Sequence, residues 1–469
     1  MQSYLKALKD TKTCPLWHDT DLMPDPLPPL VTDENCELLI VGGGFTGLWA
    51  AMQVKERNPE ADVILIEQTC IADGASGRCG GFLSSSVAHG ETNTEHRFPG
   101  EAERLQQLGA QNMKELLETL ERHNIDARYE KVGEMSVALD PASAERLRLD
   151  FEAAKSDGED VVYFDRDAVR VEVNSPTFFA GLWHRGGQDG VIDPARLCWG
   201  LKEALLKLGV RIFEGTRLLG IEPVGKEGMK ADCPGGVIRA DRILLATNAF
   251  PSIIGRIRRS VIPVWDYQLA TEPLTDEQLE KIGWHKSRHA LADYSNMFHY
   301  FRLTSDNRIT WGGGGSVRYY FNSGTDLSLA HAPACYEQLA REFFETFPQL
   351  EGINFSHKWG GIIATSTRFC MVPGVAYDGR VAWSVGYTGH GVGASRFGAR
   401  IAIELLGYDP SDILKMKFVS QKALPWAPEP FRWIGIRLTQ RALIKADRNG
   451  GKRGLWLKLL DMMNLGFTC

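Results

Sequence analysis

A glycine-rich segment near the start of the chain limits the folds that the chain can adopt. The segment 37–41, which is apolar from 38 onward, predicts a buried strand, and a G-x-G-x-x-G motif occupies 42–47 directly after it. The next segment, 48–57, predicts a helix, and 63–66 predicts a second strand that ends at Glu67. This order of strand, glycine turn, helix and strand is typical of a Rossmann-type unit that binds a dinucleotide.

The spacing of the motif has a physical reason. Gly42 permits a tight turn, Gly44 lets a pyrophosphate approach the backbone, and Gly47 lets the helix pack close to the strand. The phosphates then lie at the helix N-terminus, where free N–H groups and the helix dipole favour negative charge. Glu67, 20 residues after Gly47, can accept hydrogen bonds from a ribose diol. The residues predicted to contact the dinucleotide here are Gly42, Gly44, Phe45, Thr46, Gly47, Glu67 and Gln68.

A loop of small residues after Glu67 distinguishes between NAD and FAD. The loop 74–81 reads G-A-S-G-R-C-G-G. Because most of its residues have little or no side chain, backbone amides can reach a large, flat ligand. An NAD enzyme does not need such a loop directly after the ribose acid, so the loop favours FAD. The loop residues predicted to bind the cofactor are Gly74, Ala75, Ser76, Arg78, Cys79, Gly80 and Gly81.

The motif GGGFTGL at 42–48 and the loop 74–81 together resemble the D-amino-acid oxidase superfamily of FAD enzymes. The match is closest to the branch of γ-glutamylputrescine oxidase and sarcosine oxidase, and it covers roughly 30–410. Further stretches match in the same order, at 191–216, 240–250, 359–361, 386–392 and, in some members, 428–467. The resemblance implies further FAD contacts at Leu218, Thr247, Asn248, Gly361, Gly389, His390, Gly391 and Val392.

The expected architecture is α/β, with a Rossmann-type FAD-binding domain interleaved with a mixed β-sheet substrate domain and followed by a helical C-terminal tail. We expect the first residues to form a strap or a loose arm. The predicted ranges are 1–35 for this arm, 36–124, 191–256 and 356–408 for the FAD-binding domain, 125–190 and 257–355 for the substrate domain, and 409–469 for the tail.

The resemblance implies an oxidoreductase that acts on a small-molecule amine or an N-substituted amino compound. A hydride would leave the carbon beside the amine nitrogen for FAD, and the imine would hydrolyse to a carbonyl compound and an amine. Oxygen or another electron acceptor would then reoxidise the flavin. The alternative is a flavin-binding subunit or assembly factor without turnover of its own.

Several polar and aromatic residues could take part in the chemistry, and each could equally have a packing role. Arg78 and His390 could support negative charge on the flavin, and Arg302 could hold an acidic substrate group with two hydrogen bonds. Cys79 and Cys370 are possible sites of covalent flavin attachment. The residues predicted as pocket walls are Trp265, Tyr267, His299, Tyr300 and Trp311, and His299 is also a possible catalytic residue.

The sequence departs from the family pattern at two points. Amino-acid-oxidising members often carry an Arg in a G-L-R-P motif that clasps the substrate carboxylate, and Ile363 stands at the matching position here. This disfavours a simple α-amino acid as the substrate. Sarcosine-type oxidases place a Lys over the flavin, where this chain has Thr310 or Trp311. The electron acceptor is therefore open.

Composition and charge exclude some classes of protein. The net charge of -6 argues against a nucleic-acid binder, and nine cysteines without a C-x-x-C pair disfavour a zinc site and favour a reduced, cytoplasmic setting. No apolar run of 18 residues predicts a transmembrane helix. The segment 431–459 nevertheless holds eight Lys or Arg and one acid, a local charge of +7. This segment is a solvated packing arm, a contact with an anionic membrane, or a subunit contact.

Overall fold

The computed structural model describes residues 3–225, 228–284, 286–463 and 465–466. Asn464 and Phe467, which belong to the tail resemblance, and the terminal residues of the predicted arm and tail lie outside this part. Its strands are β1 (Glu34–Val41), β2 (Val63–Ile66), β3 (Phe82–Leu83), β4 (Glu134–Ala138), β5 (Val161–Phe164), β6 (Ala180–His184), β7 (Gly190–Val191), β8 (Arg211–Phe213), β9 (Gly220–Val224), β10 (Gly228–Cys233), β11 (Gly236–Leu245), β12 (Val261–Thr271), β13 (Ala290–Asp293), β14 (His299–Leu303), β15 (Ile309–Gly313), β16 (Phe355–Ser366), β17 (Val372–Ala376) and β18 (Val381–Val385).

The helices of the described residues vary widely in length. The α-helices are α1 (Ser3–Ala7), α2 (Phe45–Arg57), α3 (Glu91–Arg97), α4 (Ala102–Arg122), α5 (Pro141–Ser156), α6 (Arg166–Glu172), α7 (Pro194–Lys207), α8 (Gly255–Ser260), α9 (Asp276–Ile282), α10 (Pro333–Thr346), α11 (Gly391–Leu405), α12 (Lys417–Ser420), α13 (Phe431–Arg448) and α14 (Leu455–Met462). Short 3₁₀ helices occupy Leu16–His18, Ala75–Gly77, Gly314–Ser316, Leu327–Ala330, Pro348–Leu350 and Asp412–Lys415. No helix of the described residues is both long enough and apolar enough to cross a membrane.

The first sheet contains the predicted Rossmann-type unit. Its strands run in the order β17-β18-β11-β1-β2-β8, and β10 and β9 extend β11 as a hairpin. Strand β1 is parallel to both β2 and β11, and α2 follows it directly. Leu38, Leu39 and Ile40 of β1 are fully buried, as expected for a parallel strand that is covered on both faces. The predicted α/β class is confirmed.

The second sheet is the predicted mixed sheet. Its order is β16-β12-β15-β14-β13-β4-β6-β5, and all neighbours are antiparallel except β4 and β13. Helix α10 covers one face, where Trp311 packs against Phe343 and Phe347. Strand β16 belongs to this sheet, although all of its residues after the first fall in the range 356–408 that was predicted for the FAD-binding domain. The opposite face of the sheet is turned toward the glycine-rich loop.

The N-terminal arm is a strap rather than a loose segment. Trp17 is 6% exposed, and its Nε1 donates a hydrogen bond of 2.8 Å to the carbonyl of Cys79. Further along, the Leu30 N–H donates to Thr216 Oγ1 at 2.9 Å. At Lys12 the arm pairs with His357 of β16 as a short parallel bridge. The arm therefore ties both sheets together behind the loop 74–81.

Candidate active site

A cavity of about 1130 Å³ begins at the carboxyl ends of the parallel strands. Val41, Ile66 and Leu245, which end β1, β2 and β11, line its first part. The cavity then continues along the second sheet and beneath α13 and α14. The carboxyl edge of a parallel sheet is where α/β proteins bind nucleotides, so the first part suits a dinucleotide.

Two glycines of the motif stand where a side chain could not fit. A Cβ at Gly47 would lie 2.0 Å from the carbonyl oxygen of Gly42. Gly42 itself has φ +116°, and its Cβ would lie 2.7 Å from the Ala246 oxygen. These contacts hold α2 close against β1, so the first turn of the helix, with Phe45 and Thr46, lines the cavity.

Glu67 lies in the cavity at the end of β2, as its predicted ribose role requires. Its Oε2 accepts a hydrogen bond of 2.7 Å from the Gly43 N–H, and its Oε1 accepts one of 3.0 Å from the Thr69 N–H. Burial raises the pKa of Glu67 despite these bonds. Nearby, Thr247 Oγ1 is buried and has no hydrogen-bond partner within the described residues. A polar ligand would satisfy this hydroxyl, so the residues present fit FAD.

The remaining predicted cofactor contacts also line this cavity. They are Gly42, Gly44, Gln68, Gly74, Ala75, Ser76, Arg78, Cys79, Gly80, Gly81, Leu218, Asn248, Gly361, Gly389, His390, Gly391 and Val392. Gly47 does not line it, because its place is at the contact between helix and strand. The structure thus brings together residues that are up to 350 positions apart, from Gly42 to Val392.

Arg78 fastens the loop 74–81 to the second sheet. Its Nε donates a hydrogen bond of 2.6 Å to the Asp73 carbonyl, and its guanidinium pairs with the Asp73 carboxylate at 2.8 Å. The carbonyl of Arg78 accepts hydrogen bonds from Gln268 at 2.9 Å and from Trp359 at 2.8 Å. The charge of Arg78 is therefore already paired, and its bonds give it a positioning role.

His390 lines the cavity at the start of α11. The helix begins at Gly391, so its first N–H groups face the cavity. Burial and the neighbouring ring of His89, 4.5 Å away between centroids, lower the pKa of His390 to about 3. The imidazole is neutral at pH 7. Any support for negative charge here comes from the helix N-terminus and not from an imidazolium.

The alternation of side chains in the second sheet decides which predicted wall residues reach the cavity. Val264, Asp266 and Gln268 of β12 line it, whereas the intervening Trp265 and Tyr267 do not. On β14, Tyr300 lines the cavity. The expectation that Trp265, Tyr267, His299 and Trp311 form pocket walls is therefore wrong, because these side chains lie on the opposite face of the sheet.

His299 and Arg302 also lie away from the cavity. His299 is held between Asp293 at 2.8 Å and Glu342 at 2.9 Å. Burial lowers the pKa of His299, but these two carboxylates outweigh it and raise the pKa to about 9. Arg302 is 4% exposed and lies 4.8 Å from the centre of the Trp17 ring. Both residues therefore have a structural role and do not contact a substrate in the cavity.

Two acids of the second sheet that no sequence motif indicated line the cavity. Asp266 accepts hydrogen bonds from the Tyr267 N–H at 2.8 Å and from the Tyr300 hydroxyl at 2.6 Å. Burial raises the pKa of Asp266 to about 6. Burial and the nearby Asp189 raise the pKa of Glu134, on β4, to about 7. The sequence does mark both acids as unusual. Asp266 interrupts a largely apolar strand, and Glu134 begins one.

The tail helices form the roof of the cavity. Gly435, Ile436, Thr439, Gln440 and Leu443 of α13 and Trp456 and Leu460 of α14 line it. Asp447 anchors α13 by accepting hydrogen bonds from the N–H groups of Asn296 at 2.9 Å and Met297 at 3.2 Å. The Glu429 carboxylate accepts one of 2.5 Å from the Tyr319 hydroxyl. The tail is thus part of the site.

The structure separates the two cysteines that were considered for covalent attachment. Cys79 lines the cavity, and burial raises the pKa of its thiol to about 11, so it is a poor nucleophile. Cys370 is 1% exposed and does not line the cavity. Ile363, at the position of the family's substrate-clasping Arg, does line it and presents an apolar surface.

Known proteins match this chain over most of its length. The family model described as "FAD dependent oxidoreductase" matches residues 37–405. The gamma-glutamylputrescine oxidoreductase of Escherichia coli is 27% identical over 86% of this chain and 90% of its own. The probable oxidoreductase OrdL of Rhizobium meliloti is 28% identical over 87% of this chain and 92% of its own.

Among solved structures, L-proline dehydrogenase from P. horikoshii has the same fold. It superposes with a TM-score of 0.63 at 18% identity, over 83% of this chain and 99% of its own. The family match covers the glycine motif, the small-residue loop and the start of α11, which are the parts that form the cofactor end of the cavity. The chain therefore belongs to the family of FAD-dependent oxidoreductases.

Proposed function

We propose that the protein oxidises a C–N bond of an amine or N-substituted amino compound to an imine. The observation that carries this proposal is the charge of the wall that the second sheet gives to the cavity. Among the described residues, the second sheet contributes two acids to the lining, Asp266 and Glu134, and no cation. A buried carboxylate attracts an ammonium group and repels a carboxylate, so this wall favours an amine substrate.

The residues of the chain bind and orient the substrate. Bound FAD would supply the acceptor for the hydride that leaves the carbon beside the nitrogen, and hydrolysis of the imine by water would give a carbonyl compound and an amine. Asp266 Oδ2 holds the Tyr300 hydroxyl at 2.6 Å, and the Tyr300 ring lies against Gly80 of the flavin loop. The helices α13 and α14 cover the substrate end of the cavity.

The similarity to known proteins supports an amine rather than an alcohol. One relative is named for γ-glutamylputrescine, an amine. The apolar Ile363 leaves the cavity without the clasp for a simple α-amino acid at that position. The substrate that fits best therefore carries its amine away from an α-carboxylate, as in a secondary amine or a polyamine derivative.

An anaerobic spectrum of the purified protein tests the proposal. We expect one member of a panel of secondary amines, polyamines and acylated polyamines to bleach the visible flavin band. The matching alcohols and carboxylic acids, which lack the nitrogen, are the control and leave the band unchanged. Admission of air then separates an oxidase from a dehydrogenase. A flavin that no amine reduces, while dithionite does, contradicts the proposal and favours a subunit without turnover.

A further inference from the structure

The two tail helices carry a second surface on the side away from the cavity. We call this surface the outer tail face. Its residues on α13 are Ile434, Leu438, Arg441, Lys445 and Arg448, and its residues on α14 are Leu455, Lys458, Leu459 and Met462.

Helix α13 has two opposite faces. The residues that line the cavity, from Gly435 to Leu443, recur at helical spacing on one side. On the other side, Ile434 is 44% exposed and Leu438 is 43% exposed, and the same stripe continues with exposed Arg441 and Lys445. Large apolar residues on a solvent face raise the free energy of the protein in water unless a partner covers them.

Helix α14 repeats this arrangement. Leu457 is 1% exposed, and Trp456 and Leu460 face the cavity. The opposite side holds Leu455, which is 89% exposed, and Met462, which is 79% exposed. Leu459 is 43% exposed on the same side, beside the exposed Lys458. The apolar residues of the outer tail face are therefore interleaved with cations.

The charge of this surface contrasts with that of the whole chain. The segment 431–459 has a local charge of +7, whereas the chain has a net charge of -6. Ion pairs join Arg432 to Glu429 and Arg453 to Asp461. Within the described residues, none of the cations of the outer tail face forms an ion pair. Their charge is thus available to an external partner.

We propose that the outer tail face docks on an anionic phospholipid bilayer. Helices with apolar side chains and cations on one exposed surface lie in the membrane interface, with the apolar groups in the acyl boundary and the cations among the headgroups. A second copy of this chain is disfavoured as the partner, because pairing two such faces would bring like charges together. A neutral bilayer would leave the cations without counter-charges.

Docking would place the roof of the active site on the membrane. The inner side of the same two helices lines the cavity through Ile436, Gln440 and Trp456, among others. The side of α13 that meets the bilayer is therefore one helix diameter, about 10 Å, from the cavity. This inference concerns the tail and does not depend on which amine is the substrate.

Co-sedimentation of the full-length flavoprotein with vesicles tests the docking. We expect binding to vesicles of equal parts phosphatidylglycerol and phosphatidylcholine, and little binding to phosphatidylcholine alone. The variant Arg441→Gln/Lys445→Gln should weaken binding by about fivefold for each cation removed. The matched control is Lys114→Gln/Lys207→Gln, which removes two exposed cations elsewhere and should bind as the wild type does.

A second pair of variants tests the apolar part. Leu455→Ser/Met462→Ser should reduce vesicle binding, whereas Leu149→Ser/Val171→Ser, at positions that are 55% and 73% exposed, should not. Flavin content reports that each variant is folded. Two results would overturn the proposal: no binding to anionic vesicles, or a wild-type dimer in solution that Leu455→Ser/Met462→Ser converts to a monomer. The second result assigns the surface to another copy of the chain.

Discussion

Single residues shape the cavity of this protein in two ways: a glycine leaves room for close backbone packing, and a buried acid brings an ionisable group to the wall. Gly47 matters because it has no side chain, and the backbone of Gly42 fills the place where a Cβ would lie. Asp266 and Glu134 matter because burial raises their pKa values toward neutrality, to about 6 and about 7. Their charge therefore changes within the range of pH in which proteins usually work.

The substitution Gly47→Ala should abolish FAD binding. The added methyl group would lie 2.0 Å from the Gly42 oxygen, so α2 must move away from the phosphate site. Overpacking of this kind destabilises by about 1–3 kcal/mol. The ratio of flavin to protein absorbance and the thermal unfolding midpoint measure the effect. Gly100→Ala, at a position with nothing within 4 Å, is the control. Full flavin content in Gly47→Ala would contradict the proposed contact.

The substitution Glu134→Gln should weaken the capture of a cationic amine. A hydrogen bond to a charged group contributes about 1.5–3 kcal/mol, so KM should rise roughly 10- to 100-fold while flavin content stays constant. The wild-type carboxyl gains its charge as pH rises through about 7, so KM should fall over that range. The variant should lack this step. Glu118→Gln, at an exposed helical position, is the control. If KM of Glu134→Gln varied with pH as that of the wild type does, Glu134 would not belong to the substrate site.

At the scale of elements, the tail helices decide the shape of the substrate end of the cavity. Leu443 of α13 and Leu457 of α14 pack against Met297, which precedes β14. Hydrogen bonds to neighbouring segments hold the ends of the two helices. The Arg146 guanidinium, for example, donates a hydrogen bond of 2.7 Å to the Gly450 carbonyl. A change in one anchor should therefore loosen the roof without disturbing the FAD end of the cavity.

The substitution Asp447→Ala should release the end of α13. It removes the acceptor for the N–H groups of Asn296 and Met297, and hydrogen bonds to a charged group contribute about 1.5–3 kcal/mol. We expect faster proteolysis within the tail and a higher KM, with unchanged flavin content. Asp412→Ala, at a side chain that is 92% exposed, is the control. Proteolysis at the wild-type rate would show that other contacts suffice to hold the roof.

At the scale of the whole molecule, the cavity lies where the two sheets meet, and the arm, the loop 74–81 and the tail close it. Predicted FAD contacts come from both sheets, with Gly42 after β1 and Gly361 on β16. A ligand that contacts both sheets stabilises their association, because it binds the folded protein and not the unfolded chain.

Removal of FAD should therefore lower the stability of the entire chain. At free FAD one hundred times above its Kd, binding stabilises the folded state by about 2.7 kcal/mol. We expect the apoprotein to unfold at a lower temperature and added FAD to restore the midpoint in a concentration-dependent way. NAD, which the loop 74–81 disfavours, is the control ligand. If NAD raised the unfolding midpoint of the apoprotein as much as FAD does, the assignment of FAD as the cofactor would be wrong.

The sequence by itself determined the cofactor end of the protein. The glycine motif, Glu67 and the strand 63–66 are local features, since the turn, the helix start and the ribose acid all lie within about one βαβ unit of chain. Their chemistry follows from steric rules that hold in any such unit. The segment 261–271 likewise forms β12 for a local reason, because its β-branched and aromatic residues favour an extended backbone.

Only the tertiary structure decided the substrate end. Strand β12 is buried on both faces, so its apolar pattern did not indicate that Asp266 faces the cavity and that Tyr267 faces Tyr336 of α10. A pattern of period two shows which residues share a face, but a shift of one residue exchanges the faces. The same holds for the tail, whose basic helices were visible in the sequence while their inner contact with the cavity was not. Both outcomes depend on packing between segments more than 100 residues apart, which no local pattern encodes.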